Sequence, residues 1–239
     1  MKNIPFHLIL LWLLIVLILS SCEDLNCIRG NGDVVTRELQ LNSFNSFELK
    51  GSGNVYLTQG DSQKVIIEGE SNILDLIETD VREQRWDIEF SECVRSHKDI
   101  KVYITIPEVR SGSISGSGDI IGENDFSGGN MGFKISGSGN IDVSAVCEEM
   151  LAIISGSGGI NLKGQAREFT GHISGSGDIR AYPFFTKNAE IKISGSGDVE
   201  ISASETLEVN ISGSGDVRYH GSPVITTHVS GSGNVSNTD

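Results

Sequence analysis

The sequence predicts an all-β chain wound as a single-stranded right-handed parallel β-helix, or β-solenoid, with coils of about 18–21 residues and a less regular N-terminal part. Three observations predict it. A heptad of the type Ile-Ser-Gly-Ser-Gly-Asp-Ile recurs at 114–120, 135–141, 154–160, 173–179, 193–199, 211–217 and 229–235. Its starting positions step by 21, 19, 19, 20, 18 and 18 residues. Apolar residues alternate with polar ones on both sides of each heptad, as in Ile191 and Ile193 before it and Val199 and Ile201 after it. A fixed period of this kind marks a repeat architecture. At about 3.3 Å per residue, one step is long enough for a full coil of short strands and corners. Alternation of period two is a strand with one buried face.

The first element is a leader. Lys2 precedes an unbroken apolar run from Leu8 to Leu19, too short to span a bilayer and flanked as a signal peptide is. Leu19-Ser20-Ser21-Cys22 is similar to a bacterial lipobox, which implies a signal peptide over 1–21, cleavage before Cys22 and lipid on its sulfur and new amine. Residues 22–27 then form a lipid anchor and short linker. Two or more acyl chains suffice for stable membrane attachment.

Residues 28–113 are expected to form irregular β coils continuous with the regular part. Ile28–Val34 and Leu49–Val55 are relatives of the heptad, and Ile67–Ile73 and Trp86–Phe90 fall near its phase. Val102, Ile104 and Ile106 share one face of a strand, residues 91–99 read as a loop, and 72–84 has room for one helical turn. A separate antiparallel subdomain is the rival reading. Cys27, Cys93 and Cys147 in an oxidising envelope allow three pairings, of which Cys27–Cys93 is preferred. Neither a CxxC nor a Cys/His spacing suggests zinc.

The regular repeats occupy 114–239. A tight corner needs backbone angles that Gly reaches freely, and the Asp or Asn after it can bond its own backbone in an Asx-turn. Successive corners about 4.8 Å apart would stack small side chains into ladders. The equivalent aliphatics then pile into one continuous core.

The leader with its lipobox, the N-terminal Cys and G-x-G strand, the segment from Leu57 (L-T-Q-G) to Gly69 (V-I-I-E-G), the Ile104–Pro107 strand and the reiterated S-G-S-G-D together resemble the head GIN domain family over most of residues 28–235. The resemblance implies a β-helix-like fold, a bacterial envelope location and, from the family's description as auto-transporter adhesins, surface binding. It carries over no catalytic residues. The chain shows no autotransporter barrel, and its own lipobox supplies a different anchor.

Stacking in register would place Asp178, Asp198 and Asp216 in one column. Like charges at that spacing repel by about 0.9 kcal/mol per neighbour in water, which a Ca²⁺ ion would relieve. Solvated turn carboxylates are the plainer reading, because calcium-binding rolls need a nine-residue G-G-x-G-x-D repeat that is missing here. The next column, Asn161, Arg180, Glu200 and Arg218, sets opposite charges side by side. A further column runs Lys134, Ile153, His172, Lys192, Asn210 and His228. From it His172, Lys192 and His228, with Tyr182 from the Tyr182-Pro183-Phe184-Phe185 cluster, are the candidate ligand face. Core packing is the bland alternative for that cluster and for Trp86.

Composition narrows the function. Gly is abundant (29), Pro scarce (4) and apolar residues make up 38%, too many for a disordered linker. The formal charge of −14, which becomes −15 once Lys2 leaves with the leader, repels phosphate backbones and argues against a nucleic-acid partner. The corners are too short to build the carboxylate-lined groove of a polysaccharide lyase or hydrolase, and His97, His172, His220 and His228 have no Ser or Cys arrangement suggesting a triad. The expected function is therefore a non-enzymatic, lipid-anchored cell-envelope protein, on the outer membrane, that contacts glycans or proteins through a β-helix face. No cofactor or resident metal is expected. A glycan-active enzyme resembling a lyase is the alternative. A self-assembling structural protein is a third reading, since an uncovered terminal coil offers strand edges for a homodimer.

Overall fold

The computed structural model describes residues 27–239. The leader, the lipobox Cys22 and most of the expected linker lie outside the described residues. The N-terminal strands are β1 (Ile28–Arg29), β2 (Val34–Leu39), β3 (Ser46–Gly51), β4 (Asn54–Gln59) and β5 (Lys64–Glu70), followed by the single helical turn α1 (Ser71–Leu74). There follow β6 (Val81–Arg82), β7 (Arg85–Ile88), β8 (Val94–Ser96) and β9 (Lys101–Ile106). The regular part contains β10 (Ser111–Gly116), β11 (Asp119–Ser127), β12 (Asn130–Gly137), β13 (Asn140–Gly156), β14 (Gly159–Gly175) and β15 (Asp178–Gly195). It ends with β16 (Val199–Gly213), β17 (Val217–His220), β18 (Val224–Gly231) and β19 (Val235–Asn237).

The chain is a β-solenoid. Each regular coil makes two extended runs, one on either side of the Gly-Ser-Gly corner, and both pair in parallel with the coils above and below. Ile114, Ile135, Ile154, Ile173, Ile193, Ile211 and Val229 stand in register before the corner, and Ile120, Ile141, Ile160, Ile179, Val199, Val217 and Val235 after it. All but the terminal Val229 and Val235 are buried, and burying each such side chain contributes roughly 1.5–3 kcal/mol. A neighbouring inward column reads Phe47, Gly112, Phe133, Ala152, Gly171, Ile191, Val209. There the glycines make room for rings: a Cβ on Gly112 would lie 3.1 Å from Phe47 and 3.3 Å from Phe133. Close packing thus sets the alternation of large and small residues.

The two glycines of each corner have different physical reasons. The first of each pair, as in Gly195, has φ of +135°, a conformation open to Gly. From Gly118 onward the second, as in Gly197, has ordinary φ, but a Cβ on it would sit 2.0 Å from the Gly177 carbonyl oxygen of the preceding coil. Ser138, Ser157, Ser176, Ser196 and Ser214 each donate a backbone N–H bond of 2.9 Å to the carbonyl of the corner glycine one coil earlier. Close approach of backbones is what the corner achieves.

The N-terminal part departs from a simple winding. The run β3–β4 pairs on one side with β10–β11 and on the other with β7 and β9, all in parallel. The later segment 85–106 therefore occupies the outermost coil, and the chain then passes over 46–59 to continue the stack. Beyond it, β5 runs antiparallel to both β9 and β2, and β6 and β7 form an antiparallel pair. These strands close the end of the solenoid and cover an edge that would otherwise be free to pair. Trp86, fully buried, plugs this end and donates its indole N–H to the Glu78 carbonyl at 2.8 Å.

Two relatives of the heptad take other roles. Ile28–Val34 does not join the corner stack; β1 pairs with β8, and the Gly32 and Lys98 N–H groups donate to the Glu70 carboxylate at 2.5 and 2.7 Å. Those bonds, the Lys98 amide first, hold Glu70 below the usual carboxylate range. Ile67–Ile73 lies on the antiparallel strand β5 and the turn α1. Leu49–Val55 is a true corner, with Gly51 directly under Gly116.

Candidate functional site

The acidic column is an internal ladder. The Asp178 carboxylate accepts the Asp198 backbone N–H at 3.1 Å, Asp198 accepts that of Asp216 at 2.9 Å, and Asp216 accepts that of Asn234 at 3.0 Å. The corner Asx side chains therefore bond the next coil, where an Asx-turn would have bonded their own backbone. Their remaining oxygens meet arginines: Arg180 lies 2.7 Å from Asp178, and Arg218 bridges Asp198 and Asp216 at 3.2 and 3.3 Å. Arginine thus relieves the repulsion that would otherwise call for Ca²⁺. Among the described residues no group of three or more His, Cys, Asp or Glu is arranged to hold a metal ion. Asn161, Arg180, Glu200 and Arg218 are neighbours in register as expected, but both arginines pair with the aspartates and neither with Glu200.

The expected ligand face divides. His172, Lys192, Asn210 and His228 are consecutive in register before the corner. Lys192 forms an ion pair with Glu190, which raises the lysine's pKa and lowers the glutamate's, and His172 Nε2 is buried without a partner. Tyr182 stands after the corner, on the other run of the coil. Cys27 and Cys93 are joined by a disulfide beside the β1–β8 pair, and Cys147 is free.

A groove of about 770 Å³, open to solvent, runs along the second corner of each coil, the bend midway between successive Gly-Ser-Gly corners, from β13 to β17. Its aromatic wall originates in a local insertion. Between β15 and β16 the register jumps from Ala181↔Ile201 to Phe185↔Ser202, so Tyr182-Pro183-Phe184 is a three-residue bulge. Pro183 has no N–H to leave unpaired at the bulge. Phe184 turns inward and is fully buried, whereas Phe185 is 64% exposed. Ser202 donates to the Tyr182 carbonyl at 2.7 Å. The Tyr182 ring stacks on His220 with centroids 4.1 Å apart and planes 10° from parallel, its hydroxyl 3.0 Å from Thr238 Oγ1. Val146, 47% exposed, extends the apolar surface. Cys147 also borders the groove, and burial, with Glu148 nearby, pushes its thiol up to about 11.

Of the aromatic residues at this groove, sequence reasoning singled out Tyr182 and did not join it to His220 or Phe185. His220 was legible in principle, since it follows Tyr182 by 38 residues, two coils of the repeat. Phe185 was not: nothing in the heptad says which of two adjacent phenylalanines a bulge turns outward. A second stacked pair, Tyr56 and Tyr103 on adjacent strands with centroids 5.0 Å apart, lies on the outer face of the N-terminal coils.

Short corners, an open aromatic groove and carboxylates spent on a ladder define a β-solenoid binding or structural module with no catalytic constellation among its described residues. Residues 43–223 match the family described as "Putative auto-transporter adhesin, head GIN domain", and the chain belongs to that family. It is similar to the crystal structure of "a putative adhesin" from Bacteroides fragilis NCTC 9343, with 28% identity and a TM-score of 0.82 over 88% of this chain and 100% of that one. It also resembles a "putative lipid binding protein" from Parabacteroides distasonis ATCC 8503, with 23% identity and a TM-score of 0.75 over 89% of this chain and 99% of that one. A "putative adhesin" from Parabacteroides merdae ATCC 43184 shares 22% identity and a TM-score of 0.68, over 89% of this chain and 99% of that one. The last two likenesses speak for the fold alone. No curated protein matches the sequence.

Proposed function

We propose that this protein is a non-enzymatic adhesion module of the bacterial cell envelope, exported by residues 1–21 and held to the outer membrane by lipid on Cys22. The observation that carries the binding role is the groove with its exposed Phe185 and stacked Tyr182–His220 pair on a ladder-bonded stack. Large exposed apolar groups set among polar ones mark interaction sites. The Cys27–Cys93 disulfide is in keeping with an oxidising compartment, and the charge of −14 disfavours nucleic acid. The adhesin description of the Bacteroides fragilis relative supports the same reading.

Two measurements test it. Radiolabelled palmitate should enter the wild-type protein and not Cys22→Ser; equal labelling would end the anchor proposal. The purified protein should bind saturably on glycan or matrix-protein arrays without releasing unsaturated uronides from polysaccharides. Turnover of a polysaccharide would favour the lyase alternative.

A second reading, self-association, has its own observation. Every residue of β18 is exposed, and Ile225 and Val229 sit in register with the buried Leu207 and Ile211 of the coil below. Their apolar faces and backbone edge are suited to a second copy. Sedimentation at high micromolar concentration should show a dimer, and a strictly monomeric species would refute it.

A further inference from the structure

We infer that the groove along the second corner is the subsite for an uncharged, linear carbohydrate chain lying parallel to the solenoid axis, stacked on Phe185 and packed against the Tyr182–His220 pair. This rests on the surface-binding reading above and narrows it to one place and one ligand class.

The shape comes first. The groove passes from Val146 through Gln165, Phe185 and Ser204 to Gly221, one residue from each successive coil. At about 4.8 Å per coil these four steps span about 19 Å. Such an open trench accommodates an extended polymer better than a compact small molecule, which would need an enclosing pocket to bury most of its surface.

Charge excludes anionic polymers. Arg167 is paired with Glu148 at 3.5 Å and Glu168 at 2.9 Å, and Lys187 with Glu205 at 3.2 Å. The cations lining the trench are already neutralised, and the chain as a whole carries −14. An anionic chain would meet net repulsion. Backbone pairing excludes a peptide added as a strand. Through the middle of the trench β14 and β15 are bonded to neighbours on both sides, so they present no free edge. An acyl chain would leave much of its surface in water, because the trench is open and rimmed by Gln165, Arg167 and Lys187.

A neutral sugar fits what remains. One face of a pyranose ring is a patch of C–H groups, weakly positive and flat, which complements the negative face of an aromatic ring. The exposed Phe185 provides such a face, the stacked Tyr182–His220 pair leaves only the outer face of each ring, and the polar rim provides partners for hydroxyl groups. The Tyr182 hydroxyl is held by Thr238, so the platform is positioned before any ligand arrives.

The test is titration calorimetry of the purified protein with neutral gluco-, xylo-, manno- and galacto-oligosaccharides of increasing length, with oligogalacturonates as the anionic comparison. Wild type is compared with Phe185→Ala, Tyr182→Ala and His220→Ala, and with Lys192→Ala and His228→Ala on the other run. Circular dichroism melts confirm folding; Phe185, being mostly exposed, is the variant least coupled to the core. At least one series should bind, tighten with chain length and weaken about tenfold on loss of each ring, while Lys192→Ala and His228→Ala bind as wild type. Binding that survives Phe185→Ala and Tyr182→Ala overturns the assignment, as does a preference for anionic chains. Loss of binding only in the Lys192 or His228 variants also overturns it, yet leaves the surface-binding reading standing. Failure on every glycan and protein surface ends both.

Discussion

Replacing corner glycines by alanine separates two physical costs that the repeat always presents together. Gly51 has φ of +113° with nothing within 4 Å of the place a methyl group would take, so Gly51→Ala meets torsional strain alone. That strain is about 1–3 kcal/mol. Gly197 has ordinary φ, but its Cβ would lie 2.0 Å from the Gly177 oxygen, so Gly197→Ala meets the clash alone. Gly195 combines both, with φ of +135° and a Cβ 2.1 Å from the Gly175 oxygen. Real Cβ atoms essentially never come under 3.0 Å, so the coils must part by about 1 Å. Parting them stretches the 2.9 Å Ser196-to-Gly175 bond, which contributes about 0.5–1.5 kcal/mol, and opens the core packing beneath it. Gly195→Ala should therefore cost about 4 kcal/mol or more, a value reached only by a named steric or packing defect. Gly129, with neither cost, should change by about 0.5 kcal/mol at most. Urea unfolding followed by far-ultraviolet circular dichroism measures each variant, through midpoints at constant slope. If Gly195→Ala proves no worse than Gly51→Ala, and Gly197→Ala costs nothing, close approach of the coils is not what the corner glycines serve.

Removing the Cys27–Cys93 disulfide, which closes a separation of 66 residues, should destabilise the N-terminal cap by about 4 kcal/mol in the loop-closure description. Hydrogen exchange should then quicken at 28–30 and 94–96 and stay slow in the regular coils. Glu70 is held ionised by the Lys98 and Gly32 amides, so its folded pKa lies below the unfolded one. Its contribution is present above the unfolded glutamate value and is lost as pH falls through the folded value; Glu70→Gln should flatten the acid limb of a stability-against-pH curve. With its thiol pushed up to about 11, Cys147 is about one part in a thousand thiolate at pH 8. Iodoacetamide should label it slowly in the native protein and completely after unfolding. Arg218→Gln should cost about 0–1 kcal/mol, with the loss shrinking in high salt, since the pair it breaks is partly exposed.

Much of this could be read before any coordinates. The heptad locates every regular corner from Gly116 to Gly231, and the alternation about it assigns the buried aliphatics one by one. Both follow from local rules, strand periodicity and the reach of glycine, that a short window of sequence contains. The candidate site was legible only in fragments. Tyr182 stood out because it opens an aromatic cluster, but its stacking partner lies two coils away and Phe185 is turned out by a bulge whose register depends on the neighbouring strand. The period puts Asp178, Asp198 and Asp216 on successive coils, whereas the fate of their oxygens depended on which long arginine side chains could reach them.

The amino-acid order alone determined that the chain would wind into stacked coils of near-constant length, because the repeating apolar positions have only one another to bury against. The tertiary structure alone decided the order of coils at the N-terminal end. There 85–106 lies outside 46–59, and 111–127 packs on the earlier segment. Any two coils with matching inward residues can stack, so the pattern within each is silent about which neighbour it meets. That choice is made by contacts between residues far apart in the chain: Trp86 and Phe44 sealing one end, β5 bridging β2 and β9, and a single insertion at Tyr182 opening the groove.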